Sequence, residues 1–338
     1  MFARIAAVAS YLPAQVLGNS ELAGLYSGWT EEKIYEKTGI RERRVAAADE
    51  TSVDLAVRAA ERLFERHALA RDSIDFLIFC TQTPDYFLPT SACVIQQRLG
   101  LRTTCGALDI GLGCSGFVYG LSLAKGLIET AAARRVLLLT ADTYSKLIHP
   151  LDKSVRTLFG DGAAATLVEA AELAQAYIGP FVFGTDGSGA GNLIVRTGGM
   201  RQGRSAESAL ERTDSSGNVR TDDNLFMDGP AIVNFTLLEV PKAMARLLSA
   251  CGESLETIDL VVLHQANRYM LETLRRKMRI PAEKFVIFVE NCGNTVSATI
   301  PLALESVRAA AGEGARPRKM ILIGFGVGYS WAGTLVTF

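Results

Sequence analysis

Amphipathic helical stretches and short runs of apolar, often β-branched residues alternate along the whole chain. This alternation is typical of layered α/β proteins rather than of separate all-α and all-β domains. An apolar run before Tyr11 predicts a first strand. The pattern then predicts, in order, helix 52–68, strand 74–80, helix 90–99, strand 105–110, helix 114–131, strand 135–141 and strand 163–169.

The same order of elements returns in the second part of the chain. From Gly229 onward the pattern predicts helix 230–250, strand 258–264, helix 268–279, strand 285–290, helix 297–311, strand 320–325 and strand 332–338. Residue identity between the two series is negligible, so only the pattern repeats. We therefore expect two duplicated α/β halves, residues 1–172 and 173–338.

Residues 184–226 interrupt this pattern, because Gly, Ser, Asn, Asp, Arg and Thr crowd the segment. Such a composition predicts a long surface excursion. In an enzyme a long ordered loop is often a lid or a tunnel wall. A surface loop without a role is the alternative.

Composition supports a large buried core in a soluble protein. Of 338 residues, 49% are hydrophobic and 21% charged, as expected when strands are covered on both faces. The net charge of -1 removes any whole-surface electrostatic reason to bind nucleic acid. No apolar stretch approaches the roughly 20 residues of a membrane span, and the N-terminus lacks the features of a secretory signal. Six scattered cysteines without a CxxC pair predict neither a metal site nor a disulfide framework, and favour the cytoplasm.

Cys114 lies where a strand run ends in glycines and a helix rich in small residues begins, in the sequence LDIGLGCSGFVYGL. A thiol at a helix N-terminus feels the positive end of the helix dipole and nearby free N–H groups, which favour the thiolate. A buried, inert cysteine is the alternative for a single residue of this type.

Two further residues follow strands in the second half. His264 ends the strand run DLVVLH, and catalytic groups of open α/β sheets gather at the carboxyl ends of strands. Asn294 precedes a predicted helix at the position that Cys114 occupies in the first half, although an asparagine there can equally be a helix cap. The terminal segment GFGVGYSWAG, residues 324–333, can aim backbone N–H groups at an oxyanion or form a simple hairpin.

Five motifs taken together resemble the β-ketoacyl-acyl carrier protein synthase III family. They are GCSGF around Cys114, HQAN at 264–267, GNT at 293–295, FGDGAA at 159–164 and the terminal glycine segment, with TGIRER at 38–43 extending the resemblance to nearly the whole chain. The resemblance implies an α/β thiolase-like fold, two halves layered α-β-α-β-α around a central buried helix. It also implies a homodimer that needs no metal or bound cofactor.

The resemblance implies that Cys114 carries the acyl group of a thioester primer. It implies that His264 and Asn294 stabilise the enolate that forms when a malonyl thioester loses carbon dioxide. The backbone N–H groups of Cys114 and Val327 are the expected oxyanion hole. A thiolase would need a second cysteine in the terminal segment, where this chain has Val327.

The resemblance also assigns residues to substrates and partners. The primer comes on coenzyme A or acyl carrier protein, and the malonyl group on acyl carrier protein. Lysine replaces the planar residues that hold the coenzyme A adenine in the family, and lysine meets phosphate as a point charge only. Acyl transfer to a hydroxyl or amine and a catalytically silent subunit remain alternatives. The expected substrate contacts are Lys33, Lys37, Leu88, Lys153 and Phe325, and the expected carrier-docking residues are Arg275, Arg276 and Lys277.

Overall fold

The computed structural model describes residues 1–172, 174–312 and 318–338. The first series of elements is β1 (Phe2–Tyr11), β2 (Gln15–Gly18), α1 (Asn19–Leu25), α2 (Glu31–Thr38), β3 (Glu42–Val45), α3 (Ser52–Arg66), β4 (Phe76–Cys80), α4 (Ser91–Arg98), β5 (Gly106–Ile110), α5 (Gly116–Glu129), β6 (Arg135–Asp142), α6 (Lys153–Arg156) and β7 (Gly162–Ala171). The second series is β8 (Ile178–Thr185), β9 (Leu193–Val195), β10 (Arg212–Thr213), β11 (Val219–Arg220), β12 (Leu225–Met227), α7 (Gly229–Cys251), β13 (Leu260–Leu263), α8 (Arg268–Lys277), α9 (Thr299–Ala311), β14 (Lys319–Gly326) and β15 (Ser330–Thr337).

Two mixed sheets carry the fold, and their topologies correspond. The first sheet has the order β1-β7-β6-β4-β5, and the second has the order β13-β14-β15-β8. Strand β8 takes the place of β1, β15 that of β7, β14 that of β6 and β13 that of β4, with the same parallel and antiparallel pairings. The division of the chain at 172/173 stays a prediction, because residue 173 lies outside the described residues.

The predicted strand 285–290 is wrong. Only Phe285 pairs with the second sheet, in an isolated parallel bridge to Val261. The side chain of Gln265 replaces the missing ladder: its Nε2 donates to the backbone oxygens of Leu263 at 2.6 Å and Val286 at 3.3 Å. Its Oε1 accepts the N–H of residue 288 at 2.6 Å. A side chain thus satisfies backbone groups that a strand would otherwise pair.

Both sheets are buried on both faces, which produces five layers. In β6, Leu137 and Leu139 join the core under α3 and α4, whereas Leu138 joins the core between the sheets. Helices α5 and α9 fill that middle layer, and α7 and α8 cover the outer face of the second sheet. The alternation follows from the two-residue period of a strand. The expected α-β-α-β-α arrangement with a central buried helix is confirmed.

Several element ends were predicted correctly and others shift by a few residues. Thr51 begins α3 with a capping box, in which Thr51 and Asp54 exchange side-chain and backbone hydrogen bonds. Helix α5 begins at Gly116, so Cys114 lies in the connection before the helix and not in its first turn. The excursion at 184–226 folds into two short antiparallel pairs, β9 with β12 and β10 with β11. Among the described residues, no helix is long and apolar enough to cross a membrane.

Candidate active site

The segments that carry Cys114, His264 and Asn294 pack against one another. Cys114 precedes α5, and Asn294 precedes α9, the two helices between the sheets. His264 directly follows β13, and its ring meets Phe325 of β14 edge to face, with 5.5 Å between centroids. The next residue, Gly326, lies against Cys114.

Two glycines of β14 allow the connection around Cys114 to approach so closely. A Cβ at Gly324 would lie 2.6 Å from the backbone oxygen of Cys114. A Cβ at Gly326 would lie 2.9 Å from both Cβ and Sγ of Cys114. The close approach puts the backbone N–H of Val327 within hydrogen-bonding reach of the thiol, together with the N–H of Cys114 itself. The terminal glycine segment therefore contributes backbone donors at the sulfur.

The Cys114 thiol is protonated in the resting protein. Its pKa is raised to about 12: burial raises it most, the Asp142 carboxylate also raises it, and the N–H groups of Cys114 and Val327 lower it only in part. The N–H donors around the sulfur do favour the thiolate, but desolvation outweighs them. The thiol has to lose its proton as it attacks.

We expect Gly326→Ala to slow acylation of Cys114 by at least about tenfold, because a methyl group at 2.9 Å must push the thiol or the Val327 N–H out of place. Stopped acylation reactions followed by intact-mass spectrometry measure the rate. Gly199→Ala is the matched control, since a Cβ there meets nothing within 4 Å. An unchanged acylation rate in Gly326→Ala would show that the close contact is not needed for attack.

His264 is a buried, neutral imidazole. It is 2% exposed, and burial lowers its pKa to about 3. Its backbone N–H donates to the oxygen of Ile323 at 2.8 Å, which holds the residue at the end of the sheet. On the ring, Nδ1 lies 2.7 Å from Oγ1 of Thr299. Within the described part of the chain Nε2 has no hydrogen-bond partner, so it is available to a substrate.

The buried His264 should make the protein less stable in mild acid. Unfolded histidine binds a proton below about pH 6.5, whereas folded His264 stays neutral down to about pH 3. Below pH 6.5 the unfolded state therefore binds more protons than the folded state. Each unit by which the pH drops then lowers the free energy of unfolding by up to about 1.4 kcal/mol. In urea denaturation at pH 8, 7, 6 and 5, His264→Gln should lose less stability than the wild type between pH 6 and 5. The difference between the two proteins should be constant from pH 8 to 7, and parallel curves down to pH 5 would contradict the assignment.

Asn294 is held so that only its amide N–H group remains free. Its backbone N–H donates to Leu158 at 2.9 Å, and its backbone oxygen accepts from Gly160 at 3.0 Å. Its Oδ1 accepts the N–H of Val296 at 2.9 Å. Helix α9 has Ala298 at its N-cap, so Asn294 does not cap it. No described residue bonds Nδ2, which leaves a fixed donor at the site.

Asp142 is a buried residue of the site that sequence analysis missed. It ends β6, where its carboxylate accepts the N–H of Gln82 at 2.8 Å and both the N–H and hydroxyl of Ser297, at 3.2 and 2.5 Å. Burial raises its pKa to about 7. The carboxylate ties the first sheet to the turn after Asn294. An aspartate at the carboxyl end of an apolar strand run was the available indication.

The predicted substrate residues do not all lie at the thiol. Phe325 is buried beside His264, whereas Leu88 is 85% exposed and forms no wall of the buried site within one chain. The ammonium groups of Lys33 and Lys37 lie 5.2 and 5.8 Å from the ring centroid of Trp29, a residue that sequence analysis did not single out.

Lys153 lies on a neighbouring segment. It begins α6, and its ammonium donates to the backbone oxygen of Ser216 at 2.5 Å. The Tyr26 hydroxyl donates to the backbone oxygen of Pro150 at 2.9 Å, which joins the α1–α2 region to the α6 region. The three lysines therefore belong to two adjoining surface segments.

The basic run on α8 is only partly available. Arg275 pairs with Glu272 at 2.8 Å and donates to the backbone of Ile280 at 3.2 Å. Arg276 and Lys277 are exposed at the end of the helix. Among residues 1–172, 174–312 and 318–338, no group of three or more His, Cys, Asp or Glu side chains is placed to hold a metal ion.

Known proteins match both the sequence and the structure. Sequence profiles of 3-oxoacyl-[acyl-carrier-protein] synthase III and of its C-terminal region match residues 108–187 and 248–338. The β-ketoacyl-[acyl-carrier-protein] synthase III of Caldanaerobacter subterraneus subsp. tengcongensis is 34% identical, over 99% of this chain and 97% of the relative. A crystal structure of a 3-oxoacyl-(acyl-carrier-protein) synthase III is 62% identical and covers 100% of both chains with a TM-score of 0.98. A priming β-ketosynthase of a polyketide pathway is 31% identical, over 100% of this chain and 96% of that one, with a TM-score of 0.85. The chain therefore belongs to the β-ketoacyl-[acyl-carrier-protein] synthase III family, whose members are condensing enzymes of the acyltransferase class with a thiolase-like fold.

Proposed function

We propose that the chain carries out the family's decarboxylative condensation through an acyl thioester on Cys114, with His264 and Asn294 stabilising the malonyl-derived enolate. The observation that carries the proposal is the state of Asn294. Its backbone and Oδ1 are all engaged, so the side chain presents a donor to whatever lies beside it. A carbonyl oxygen that gains negative charge is the group such a donor stabilises.

In the first half-reaction the Cys114 sulfur bonds to the thioester carbon of the primer, and the bond from that carbon to the carrier's sulfur breaks. The proton lost by Cys114 leaves with the carrier thiol. The backbone N–H groups of Cys114 and Val327 stabilise the negative charge that develops on the primer's carbonyl oxygen. Because the thiol's pKa is about 12, deprotonation and attack have to be coupled.

In the second half-reaction the malonyl carboxylate leaves as carbon dioxide, and its bonding electron pair forms the enolate. Neutral donors suit this step: a cationic imidazole would pair with the carboxylate and stabilise the ground state, whereas neutral His264 does not. The enolate carbon then bonds to the acyl carbon, the bond from that carbon to the Cys114 sulfur breaks, and the thiolate takes a proton from solvent. The product is a β-ketoacyl thioester for fatty acid or polyketide synthesis.

The test combines acyl-CoA or acyl carrier protein primers with malonyl carrier protein labelled in its free carboxyl group. Labelled carbon dioxide and β-ketoacyl carrier protein should appear in equal amounts. Acylation of Cys114 without carbon dioxide from any malonyl donor would refute condensation. An acylated hydroxyl or amine acceptor under the same conditions would establish the acyltransferase alternative, and absence of acylation would indicate a silent subunit.

We propose that the end of α8 binds the carrier protein and that the surface segments with the three lysines bind coenzyme A. Arg276 and Lys277 are exposed cations that can meet an acidic carrier protein, and Lys33, Lys37 and Lys153 offer ammonium groups to a coenzyme A phosphate. Reversing charge with Arg276→Glu and Lys277→Glu should raise KM for malonyl carrier protein about tenfold and leave KM for acyl-CoA unchanged. Arg246→Glu, on the exposed side of α7, is the control. If Arg246→Glu raised KM for malonyl carrier protein as much as the Arg276→Glu and Lys277→Glu variants do, docking at α8 would be refuted.

We also propose that the enzyme is a homodimer. Among the described strands β5 pairs only with β4, so its other edge is open, and the segment before α4 exposes Tyr86, Phe87 and Leu88 by 59, 76 and 85%. Open edges and contiguous exposed apolar side chains are typical of protein interfaces. Light scattering should give twice the mass of one chain, and Phe87→Asp with Leu88→Asp should halve it, whereas Leu210→Asp should not. A monomeric wild type would contradict this assembly.

We place the reaction in the cytoplasm. All six cysteines are free thiols, and four of them are buried: Cys80, Cys105, Cys114 and Cys292. Free thiols persist in reducing compartments.

A further inference from the structure

The hydroxyl of Thr299 lies behind the imidazole of His264, on the side away from the free Nε2. Thr299 is the first residue of α9 and is buried, with 2% exposure. Its Oγ1 lies 2.7 Å from Nδ1 of His264 and 3.0 Å from the backbone oxygen of Val296. Among the described residues no other group bonds Nδ1.

A hydroxyl has one proton, so it can donate to only one of these two neighbours. If Thr299 donates to Val296, Nδ1 of His264 must carry the ring proton and Nε2 presents a lone pair. If Thr299 donates to Nδ1, the ring proton is on Nε2, which then points a donor at the substrate. The backbone oxygen of Val296 already accepts the N–H of Thr299, so it does not depend on the hydroxyl.

We propose that Thr299 is a positioning residue that donates its hydroxyl proton to Nδ1 and thereby holds His264 as the Nε2–H tautomer needed in decarboxylation. The shorter distance, 2.7 against 3.0 Å, favours Nδ1 as the acceptor. A thioester carbonyl beside Nε2 favours the same tautomer, because a lone pair on Nε2 would repel the carbonyl oxygen. The inference rests on the enolate-stabilising role of His264 proposed above.

The turn that precedes α9 couples this residue to Asn294. Val296 has φ 55°, a left-handed conformation that a β-branched residue rarely adopts. In this conformation its N–H holds Oδ1 of Asn294, and its carbonyl lies beside the Thr299 hydroxyl. One strained turn therefore orients the Asn294 amide and places the partner of His264, as expected where strain is retained at a functional site.

Nuclear magnetic resonance can read the tautomer directly. The chain has only three histidines, so long-range proton–nitrogen correlations resolve each ring, and His264→Gln identifies the signals of His264. The wild type should show His264 protonated at Nε2 and not at Nδ1. Thr299→Val, which keeps the volume and removes the hydroxyl, should show a mixture of tautomers. A wild-type spectrum with the proton on Nδ1 would overturn the proposal.

Kinetics separates this inference from the proposed function. Thr299→Val should slow release of carbon dioxide about tenfold through kcat and leave Cys114 acylation and KM within about twofold, as expected for one hydrogen bond to a reacting group. Thr299→Ser should restore the wild-type rate and the wild-type tautomer. Wild-type rates in Thr299→Val would refute the role of Thr299 alone, whereas a wild type that releases no carbon dioxide would refute the proposed function itself.

Discussion

Cys114→Ala should take up no acyl group and should lose condensation by at least about a thousandfold, the largest effect expected for any single substitution in this chain. Without the sulfur there is no covalent carrier for the primer, and the enolate has no acyl group to attack. The alanine side chain fills part of the same buried space, so the fold should persist. Intact-mass spectrometry after exposure to acyl-CoA or acyl carrier protein measures the missing acyl mass directly.

Cys93→Ala is the control for this experiment, because Cys93 is an exposed free thiol outside the site. It should acylate and condense at the wild-type rate. If Cys114→Ala gained an acyl mass and Cys93→Ala did not, Cys93 and not Cys114 would be the nucleophile. Loss of acylation in both variants would point to a general effect of removing cysteines.

Asn294→Asp should separate the two half-reactions. Aspartate keeps the oxygen that accepts the N–H of Val296, so the turn should hold its shape. It replaces the Nδ2 donor by a carboxylate oxygen that repels both the malonyl carboxylate and the enolate. We expect carbon dioxide release to fall by about 10²–10³, as when an oxyanion donor is lost, with acylation of Cys114 within about threefold of the wild type.

Asn291→Asp is the matched control, since Asn291 is exposed three residues earlier in the same connection. It introduces the same charge change without reaching the site, so both half-reactions should stay at wild-type rates. Equal losses of acylation and decarboxylation in Asn294→Asp would show that Asn294 supports the whole site and not the enolate. Tm measurements on both variants distinguish a folding defect from a chemical one.

Sequence patterns predicted most helices and strands of the fold, because the residue period and local capping act within a few neighbours. Helix 52–68 is an example, because α3 does begin at Ser52, after the capping box of Thr51 and Asp54. Strand 285–290 fails for the opposite reason. The apolar pattern is that of a strand, but a polar side chain from residue 265 takes the hydrogen bonds that a ladder would have made.

For the candidate site too, sequence motifs indicated some features and the tertiary structure set others. Motifs located Cys114, His264 and Asn294, because each ends or precedes a recognisable element. Their chemical states depend on groups far away in the chain. The thiol is protonated because it is enclosed by both halves, and the imidazole is neutral because burial disfavours its charge. Asp142 contacts Ser297 across 155 positions of sequence, a pairing that no local pattern contains.

The sequence alone thus determined the family and the layered α/β fold and indicated the three candidate residues, since these follow from local periodicity and from motifs read in order. Only the tertiary structure decided which atoms of those residues are free to act. Protonation and hydrogen-bond direction are set by burial and by partners such as Thr299, Val296 and Val327, which the fold brings together from separate segments.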